Sequence, residues 1–382
     1  MTDGLDAVRD TIAADWVEFD RLCQLTPAVS DALMSAPIMR ELVPAEYGGR
    51  DGTVLEWFRA GREIARMDGS CGWVAVQGAA QNAMVAAQAS PAFARAFFAH
   101  PQANMAATIR GNARVRRQGQ DTFTVSGTWE FGSGATGATY LGGVVTAEDD
   151  SLEGHPLVPS VLVRTEEVEI LPVWNPVGLR GTGSHHFRVK DAVIPRDQLF
   201  PIFNRKAARL DHRLASVGAS NILIGLSAAA VQVGIARHAL DLAREILASK
   251  SQLPVLDAPV LAEPTTVRDL ASAEGQWLLT NAGLEGLIRE MDGVLDAPWE
   301  EQRPAKIAAR LAGISAVHAG AGITRAAYEA AGTDGQVAGS ALERCFRDAN
   351  VLTAHISSRS RSYLPIGRAY LGVPQQGDWF GL

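Results

Sequence analysis

The sequence predicts an α+β protein, mostly α, in which a β-domain lies between two helical domains. Apolar residues recur with a helical period up to about Pro101 and again beyond Asn204. Between these points the pattern changes to short β-prone runs separated by Gly, Pro and Asp turns. The chain has 382 residues, enough for two or three domains with large cores. We therefore predict domains at residues 1–102, 103–204 and 205–382.

The first domain is predicted to be helical throughout, with helices at residues 3–25 and 53–67 and a short one that opens at Pro91. In the second of these, charged residues recur at spacings of three and four and so share one face: Glu56, Arg59, Glu63 and Arg66. Residues 69–94 and 214–236 are uncharged runs, each long enough to span a bilayer. Both contain Gln, Asn or Ser among many Ala and Gly, which is typical of helices buried between other helices.

The second domain is predicted to be a compact β-barrel or sandwich, with strands near residues 122–125, 140–146 and 160–164. The third is predicted to be an antiparallel four-helix bundle, with helices at residues 214–248, 263–295, 304–331 and 341–361. Prolines mark the first two connections of this bundle: Pro254, Pro259 and Pro264, then Pro298 and Pro304.

Composition excludes several classes of protein. Charged residues make up 20% of the chain, hydrophobic residues 47%, and the net charge is -7, so neither a disordered chain nor a basic nucleic-acid-binding protein is expected. The three cysteines form no CxxC pair, which argues against a metal site and favours a reducing, cytoplasmic setting. The first residues lack the features of a secretory signal.

Three stretches carry specific motifs. The first, Ser126-Gly-Thr-Trp-Glu-Phe-Gly-Ser-Gly134, offers aromatic surface and hydroxyl groups, although a β-hairpin with turn glycines would look similar. Its end also matches GxGxxG, but a strand rather than a helix is predicted to follow, so a dinucleotide-binding Rossmann site is not expected. The second stretch is Trp174-Asn-Pro-Val-Gly-Leu-Arg-Gly-Thr-Gly-Ser184, and the third is Leu342-Glu-Arg-Cys-Phe-Arg-Asp-Ala349.

Through these stretches and its domain order, the chain resembles the acyl-CoA dehydrogenase superfamily over nearly its whole length. Within that superfamily it looks most like the oxygenase components of two-component flavin-dependent monooxygenases. The resemblance implies that Ser133 lies by flavin N5, that Trp129 and Phe131 wall the flavin ring, and that Gly134 lies beside it. It also implies that Thr182 or Ser184 donates hydrogen bonds to the cofactor.

The end of the third stretch discriminates between two chemistries. In many acyl-CoA dehydrogenases a glutamate here removes the substrate α-proton, but alignment on Arg347-Asp348-Ala349 places Ile356 at that position. Isoleucine cannot take a proton, and dehydrogenation needs a base within reach. The resembling monooxygenases have a histidine nearby that assists formation of a C4a-hydroperoxyflavin, and His355 fits this role.

The remaining candidate residues concern the flavin tail and the substrate. The segment 329–335, with Gly332 and Gly335, falls where the dehydrogenases bind the adenosine pyrophosphate of FAD, but it carries Glu329 and Thr333 in place of glutamine and glycine. Reduced FMN and reduced FAD therefore both remain candidate cofactors. The resemblance places a basic residue for the flavin phosphate near Lys250, which a solvated lysine at a helix end would also explain. It assigns Arg344 to the cofactor site, and Asn82 and Thr108 to the substrate site.

The resemblance predicts an oxygenase component that accepts reduced flavin from a separate reductase and hydroxylates an aromatic, heterocyclic or other small organic substrate. It implies a cytoplasmic homotetramer, or a homodimer, with no nucleic-acid or membrane partner. Two alternatives stay open. One is an acyl-CoA dehydrogenase whose base is displaced, with Asp211 as the only carboxylate between residues 204 and 236. The other is a flavin-free relative that serves only as a binding subunit.

Overall fold

The N-terminal part of the structure is helical. The structure is a computed structural model that describes residues 4–148, 159–203, 212–218, 221–250 and 263–373. The first five helices are α1 (Asp6–Leu22), α2 (Pro27–Met34), α3 (Val54–Met67), α4 (Gly69–Gln88) and α5 (Pro91–Phe98). Helix α3 begins with a capping box, in which Thr53 accepts from the backbone of Glu56 and the Glu56 carboxylate accepts from the backbone of Thr53. All 20 residues of α4 are buried, so this uncharged run is a core helix.

The middle part forms two sheets. Their strands are β1 (Met105–Thr108), β2 (Arg114–Arg117), β3 (Thr122–Gly132), β4 (Tyr140–Val144), β5 (Thr146–Ala147), β6 (Pro159–Arg164), β7 (Glu169–Leu171), β8 (His185–Pro195) and β9 (Leu199–Pro201). One sheet has the order β1-β4-β6-β9 and the other β5-β2-β3-β8-β7. The antiparallel register of β3 with β8 is interrupted between Trp129 and Gly132, where Phe131 has a φ of 62°. This irregularity turns the Phe131 side chain out of the alternating pattern.

The C-terminal part is helical again. Its helices are α6 (Arg213–Gly218), α7 (Ile222–Ser249), α8 (Pro264–Asp292), α9 (Trp299–Ala331), α10 (Ala341–Thr353) and α11 (Tyr363–Tyr370). Two predicted bounds are wrong: α9 begins at Trp299, before Pro304, and α10 ends at Thr353 rather than near residue 361. His355 consequently lies in the turn that follows α10, and its backbone N–H donates to the carbonyl of Leu352.

The cores explain how these parts fit together. One hydrophobic core runs through both helical parts, whereas most buried residues of the sheets form a second core. The structure confirms the predicted α+β, mostly helical class. Secondary structure changes type between Phe98 and Met105 and between Pro201 and Arg213. The division into three domains at residues 102 and 204 stays a prediction.

Within the described residues, two helical segments are long and apolar enough to cross a membrane by length and composition alone. They are Ile222–Ser249 and Trp299–Gln336, and 83% and 56% of their most apolar windows are buried. Such burial is typical of the core helices of a folded protein, because a helix that is apolar all round needs cover from other helices.

Candidate active site

A cavity of about 530 Å³ lies where helices α4, α7 and α9 meet the two sheets and the turn after α10. Its wall on α4 is formed by side chains at spacings of three and four, which share one helix face: Trp73, Gln77, Gln81 and Met84. The volume falls within the usual range for small-molecule and cofactor sites. The cavity therefore lies where the two helical parts meet the two sheets.

A chain of hydroxyl groups begins in the wall of this cavity. Ser133 Oγ accepts a hydrogen bond from Trp73 Nε1 at 2.9 Å and lies 2.7 Å from Ser184 Oγ. Ser184 Oγ lies 2.8 Å from Thr182 Oγ1, which donates to the carbonyl of Leu179 at 2.9 Å. A hydroxyl has one proton to donate, so the carbonyl at the far end fixes the direction of every bond in the chain.

The direction of this chain determines what Ser133 offers to a ligand. Thr182 donates to Leu179, so Ser184 donates to Thr182 and Ser133 donates to Ser184. Ser133 Oγ therefore presents its remaining lone pair, for which the described residues supply no donor. In this arrangement Ser133 accepts a hydrogen bond from a ligand N–H rather than donating one. Reduced flavin carries an N–H at N5, which is the group that such an acceptor fits.

Thr182 and Ser184 support the site from behind. Both are buried, at 1% and 4% exposure, and neither lines the cavity. The prediction that one of them donates directly to the cofactor is therefore corrected, because their hydroxyl protons are directed away from the cavity. Gly134 has a φ of 76° and donates its backbone N–H to the carbonyl of Thr182 at 2.8 Å, which fixes the loop that carries Ser133.

The two predicted aromatic wall residues have different positions. Phe131 lines the cavity, is 38% exposed, and its ring contacts His186 edge to face at 4.7 Å. Trp129 is fully buried in the β-domain core, where it stacks on Phe187 and donates to the carbonyl of Val144 at 2.9 Å. The prediction that Trp129 walls a flavin ring is thus wrong. Residues 129 and 131 would share a face in a regular strand, but the irregularity between Trp129 and Gly132, with its positive φ at Phe131, turns only Phe131 toward the cavity. Trp73 provides the aromatic surface instead.

His355 faces the same cavity as a neutral ring. Its ring contacts Trp73 edge to face, with 4.7 Å between centroids. The backbone N–H of Ser357 donates to Nδ1 at 3.3 Å, and Ser357 Oγ lies 2.7 Å from the same atom. Burial, together with the charges of Arg310 and Arg359, lowers the pKa of His355 to about 4. The neutral ring therefore carries its proton on Nε2, which has no partner among the described residues and is available to a ligand.

Of the two predicted substrate-site residues, only Thr108 lines the cavity. Thr108 lines the cavity and accepts a hydrogen bond from the backbone N–H of Arg110 at 3.1 Å. Asn82 is fully buried and donates to the carbonyls of Met39 and Ala103, so it cannot contact a substrate in this structure. The preceding residue, Gln81, lies on the cavity face of α4 instead. A one-residue step along a helix turns a side chain by about 100°.

The predicted flavin-tail residues do not line the cavity. Lys250 Nζ donates to the carbonyl of Ala331 at 2.7 Å and forms an ion pair with Asp334 at 3.0 Å. Gly332 lies beside this lysine with a φ of 61°, and Gly335 packs against the end of α9. These contacts hold the turn after α9 in place. The predicted contact of Lys250 with a flavin phosphate has no counterpart in the geometry of the cavity.

Arg344 is an anchor between helices rather than part of this cavity. Its guanidinium pairs with Asp68, donates to the carbonyl of Trp16 and lies over the ring of Phe19, 4.9 Å from the centroid. It lines a separate cavity of about 500 Å³. The assignment of Arg344 to the flavin site is corrected, because a carboxylate of the N-terminal part already pairs with its charge.

Several wall residues were not predicted from sequence. Four buried polar atoms without partners among the described residues belong to the cavity wall: Gln77 Nε2, Ser160 Oγ, Asn221 Oδ1 and Arg310 Nη1. Buried polar groups are normally satisfied, so this cluster indicates a site that a polar ligand completes. The face of α4 could have been found from its periodicity, whereas Asn221 and Arg310 come from distant helices that carry no motif.

These features fit a flavin and do not fit a dehydrogenase. The wall has two flat aromatic surfaces, an acceptor at Ser133 and unpartnered polar atoms around them. No carboxylate occurs among the described residues that line it, and Ile356 occupies the position of the dehydrogenase base. Asp211, the displaced-base candidate, lies outside the described residues.

Sequence comparisons identify the proteins that this chain resembles. Residues 226–360 match the family model of the acyl-CoA dehydrogenase C-terminal domain. The chain is 30% identical to indole-3-acetate monooxygenase of Pseudomonas putida over 96% of this chain and 92% of the relative. It is 25% identical to the oxygenase subunit HsaA of a flavin-dependent monooxygenase of Rhodococcus jostii, over 97% and 98% of the two chains.

Solved structures share the whole fold. The 3-HSA hydroxylase of Rhodococcus sp. RHA1 superposes with a TM-score of 0.84, 23% identity and 98% coverage of both chains. The complex of TdsC from Paenibacillus sp. A11-2 with FMN and indole superposes with a TM-score of 0.82, 21% identity and full coverage of both chains. The chain therefore belongs to the flavin-dependent monooxygenases with the acyl-CoA dehydrogenase fold.

Proposed function

We propose that this protein is the oxygenase component of a two-component system, which receives reduced FMN or FAD from a separate reductase and hydroxylates an aromatic or heterocyclic substrate. One observation carries the proposal: Ser133, oriented as a hydrogen-bond acceptor, and His355, a neutral ring, line the same cavity. The described residues of that cavity include no carboxylate. Bound reduced flavin would supply the two electrons that activate O2, so that one oxygen atom enters the substrate and the other leaves as water.

The residues of the chain would hold the flavin ring and keep water away. Ser133 Oγ would accept from a ring N–H, and Trp73 and Phe131 would cover apolar parts of the ring. Trp73 would also keep Ser133 in place through its own N–H. His355 would donate from Nε2 to the oxygen that becomes reduced, since its Nδ1 is held by Ser357. A dry, fixed set of donors and acceptors would stabilise a reactive group that water would otherwise destroy.

The substrate part of the cavity would take a flat apolar molecule. Its wall includes sulfur-containing and branched aliphatic side chains, which suit an aromatic ring: Met84, Met105, Ile202 and Ile224. Thr108 and Gln81 would contribute polar contacts. One relative acts on indole-3-acetate by name, and one solved structure holds indole. An indole or another bicyclic aromatic compound is therefore the proposed substrate class.

A homotetramer, or a homodimer, in the cytoplasm is the proposed assembly. Helix α8 exposes Val267, Leu278 and Leu279, the last with 78% of its surface accessible, and a contact between copies would cover them. The three cysteines are buried free thiols, which supports the proposal of a reducing compartment. Light scattering of the purified protein would give the number of subunits.

The test is oxygen incorporation. The protein is mixed with FMN or FAD, a flavin reductase, NADH and indole-3-acetate or indole under ¹⁸O2, and the products are analysed by mass spectrometry. We expect product that carries one ¹⁸O atom and depends on both the protein and the reductase. Bleaching of bound oxidised flavin by an acyl-CoA, without oxygenated product, would favour the dehydrogenase alternative. No affinity for flavin in either redox state would favour the flavin-free alternative.

A further inference from the structure

The charge of the cavity wall is positive. Arg310, Arg359 and Arg361 line it, and the described part of the wall contains no Asp or Glu. Arg359 and Arg361 are exposed, whereas Arg310 is only 2% exposed. A concave site lined by charges of one sign concentrates ligands of the opposite sign. The cavity therefore favours a ligand with an anionic group.

Arg310 lies in the protein core, and its guanidinium occupies space that is open because residue 225 is a glycine. It extends from α9 against α7, and a Cβ on Gly225 would lie 1.3 Å from its Nη1 atom. The close approach of the two helices at Gly225 directs the guanidinium to the cavity wall. There its charge is near enough to His355 to contribute to the lowered pKa of that ring.

The guanidinium has no counter-ion among the described residues. Nη1 has no hydrogen-bond partner there, and Nη2 reaches only the carbonyl of Ser357 at 3.5 Å. Burial lowers the pKa of Arg310 to about 10, so the group stays charged at neutral pH. A buried charge without a partner is strongly unfavourable, and a ligand carboxylate would supply two acceptors in the geometry of the guanidinium.

We propose that Arg310 binds the carboxylate of the substrate, so that the preferred substrates are aromatic acids rather than neutral aromatic compounds. This inference rests on the proposed function. A flavin phosphate is the other anion that could reach the cavity. The burial of Arg310 beside His355 and Ser357 favours the substrate, because the exposed Arg359 and Arg361 are better placed for a group at the cavity mouth. The name of one relative, which acts on indole-3-acetate, agrees with an aryl acetate.

The experiment compares an acid with its neutral isostere. Binding of indole-3-acetate and indole-3-acetamide to the protein loaded with reduced FMN is measured anaerobically by calorimetry, for wild type and for Arg310→Gln. We expect wild type to prefer the acid. Arg310→Gln should weaken binding of the acid at least about tenfold and change binding of the amide less than about twofold. Arg310→Lys should recover part of the preference.

A second variant moves the Arg310 guanidinium without replacing Arg310. Gly225→Ala should displace the guanidinium and reproduce the loss seen in Arg310→Gln. Gly313→Ala is the matched control, because its Cβ would meet Leu226 at an ordinary 3.5 Å. This control should bind both ligands like wild type.

Three results would overturn the proposal. The first is equal affinity of wild type for the acid and the amide. The second is an equal loss of affinity for the acid and the amide in Arg310→Gln. The third is a loss of reduced FMN binding in Arg310→Gln while reduced riboflavin, which lacks the phosphate, still binds as in wild type. A wild-type protein that binds no reduced flavin and oxygenates nothing would instead refute the proposed function, so the two failures are distinguishable.

Discussion

The indole Nε1 of Trp73 donates a hydrogen bond to Oγ of Ser133 over 2.9 Å, which joins the longest buried run of the N-terminal part to the loop after β3. This bond occupies one acceptor site of Ser133, and the chain through Ser184 occupies its proton. Ser133 Oγ can therefore still accept one hydrogen bond but has no free proton to donate. The relationship connects a residue that carries no motif with one that lies in the most specific motif of the sequence.

Replacement of Trp73 by Phe should weaken the binding of reduced flavin. Phe keeps an aromatic surface in the wall but removes the N–H that holds Ser133, so we expect a rise of about three- to tenfold in the dissociation constant. Anaerobic fluorescence titration with reduced FMN measures it. Trp57→Phe is the control, because Trp57 is fully buried and its Nε1 has no partner among the described residues. Equal effects in both variants would contradict a specific role for the Trp73 bond.

Replacement of Ser184 by Ala should change the redox preference of the site. Ser133 would lose the acceptor for its proton and could then donate toward the cavity, where an oxidised flavin ring offers an acceptor. We expect the affinity ratio of reduced to oxidised FMN to fall about fivefold, as one hydrogen bond of about 1 kcal/mol would produce. Thr182→Ser keeps all three hydroxyl groups of the hydrogen-bonded series and should leave the affinity ratio unchanged. An unaltered ratio in Ser184→Ala would show that the direction of these hydrogen bonds does not affect flavin binding.

His355 should make the folded state sensitive to mild acid. Its pKa, lowered to about 4 in the folded protein, lies below the usual value near 6.5 of an unfolded chain. The stability from this group is therefore complete above about pH 6.5 and is lost as the pH falls toward 4. As the pH falls from 7 to 4.5, the melting temperature of wild type should therefore fall by more than that of His355→Gln. A constant difference over this range would contradict the lowered pKa.

Direct observation of the ring carbons of His355 by NMR should show no titration above pH 5. A midpoint near 6.5 would remove the neutral Nε2 donor from the proposed mechanism.

Replacement of Arg344 by Met should destabilise the protein strongly. It would leave Asp68 buried without its partner, which costs about 3–5 kcal/mol in comparable buried pairs. Chemical denaturation measures the change in unfolding free energy. Arg325→Met is the control, because the Arg325–Glu329 pair is 69% and 65% exposed and such pairs contribute about 0–1 kcal/mol. A loss of flavin binding in Arg344→Met at temperatures where it stays folded would restore the original assignment of this residue.

Three predicted site residues lie in the cavity wall, because their position follows from local pattern. Ser133, Phe131 and His355 belong to motifs or lie next to one, and all three reach the cavity. Trp129 and Asn82 failed for a different reason. Asn82 is one residue from Gln81, which does line the wall, and the pattern of an uncharged helix does not say which face meets the cavity. Trp129 is two residues from Phe131, and only the irregularity of β3 at Phe131 separates their directions.

The sequence by itself determined the α+β class, the order of helical and β-rich parts, the burial of the uncharged runs and the family. These properties follow from periodicity, composition and motifs, which are local. Only the tertiary structure decided that Arg344 is an interhelical anchor, that Trp73 holds Ser133, and that Arg310 reaches the cavity past Gly225. Each of these contacts joins residues far apart in the chain. Their chemistry depends on burial and on partners that appear only when the helices pack.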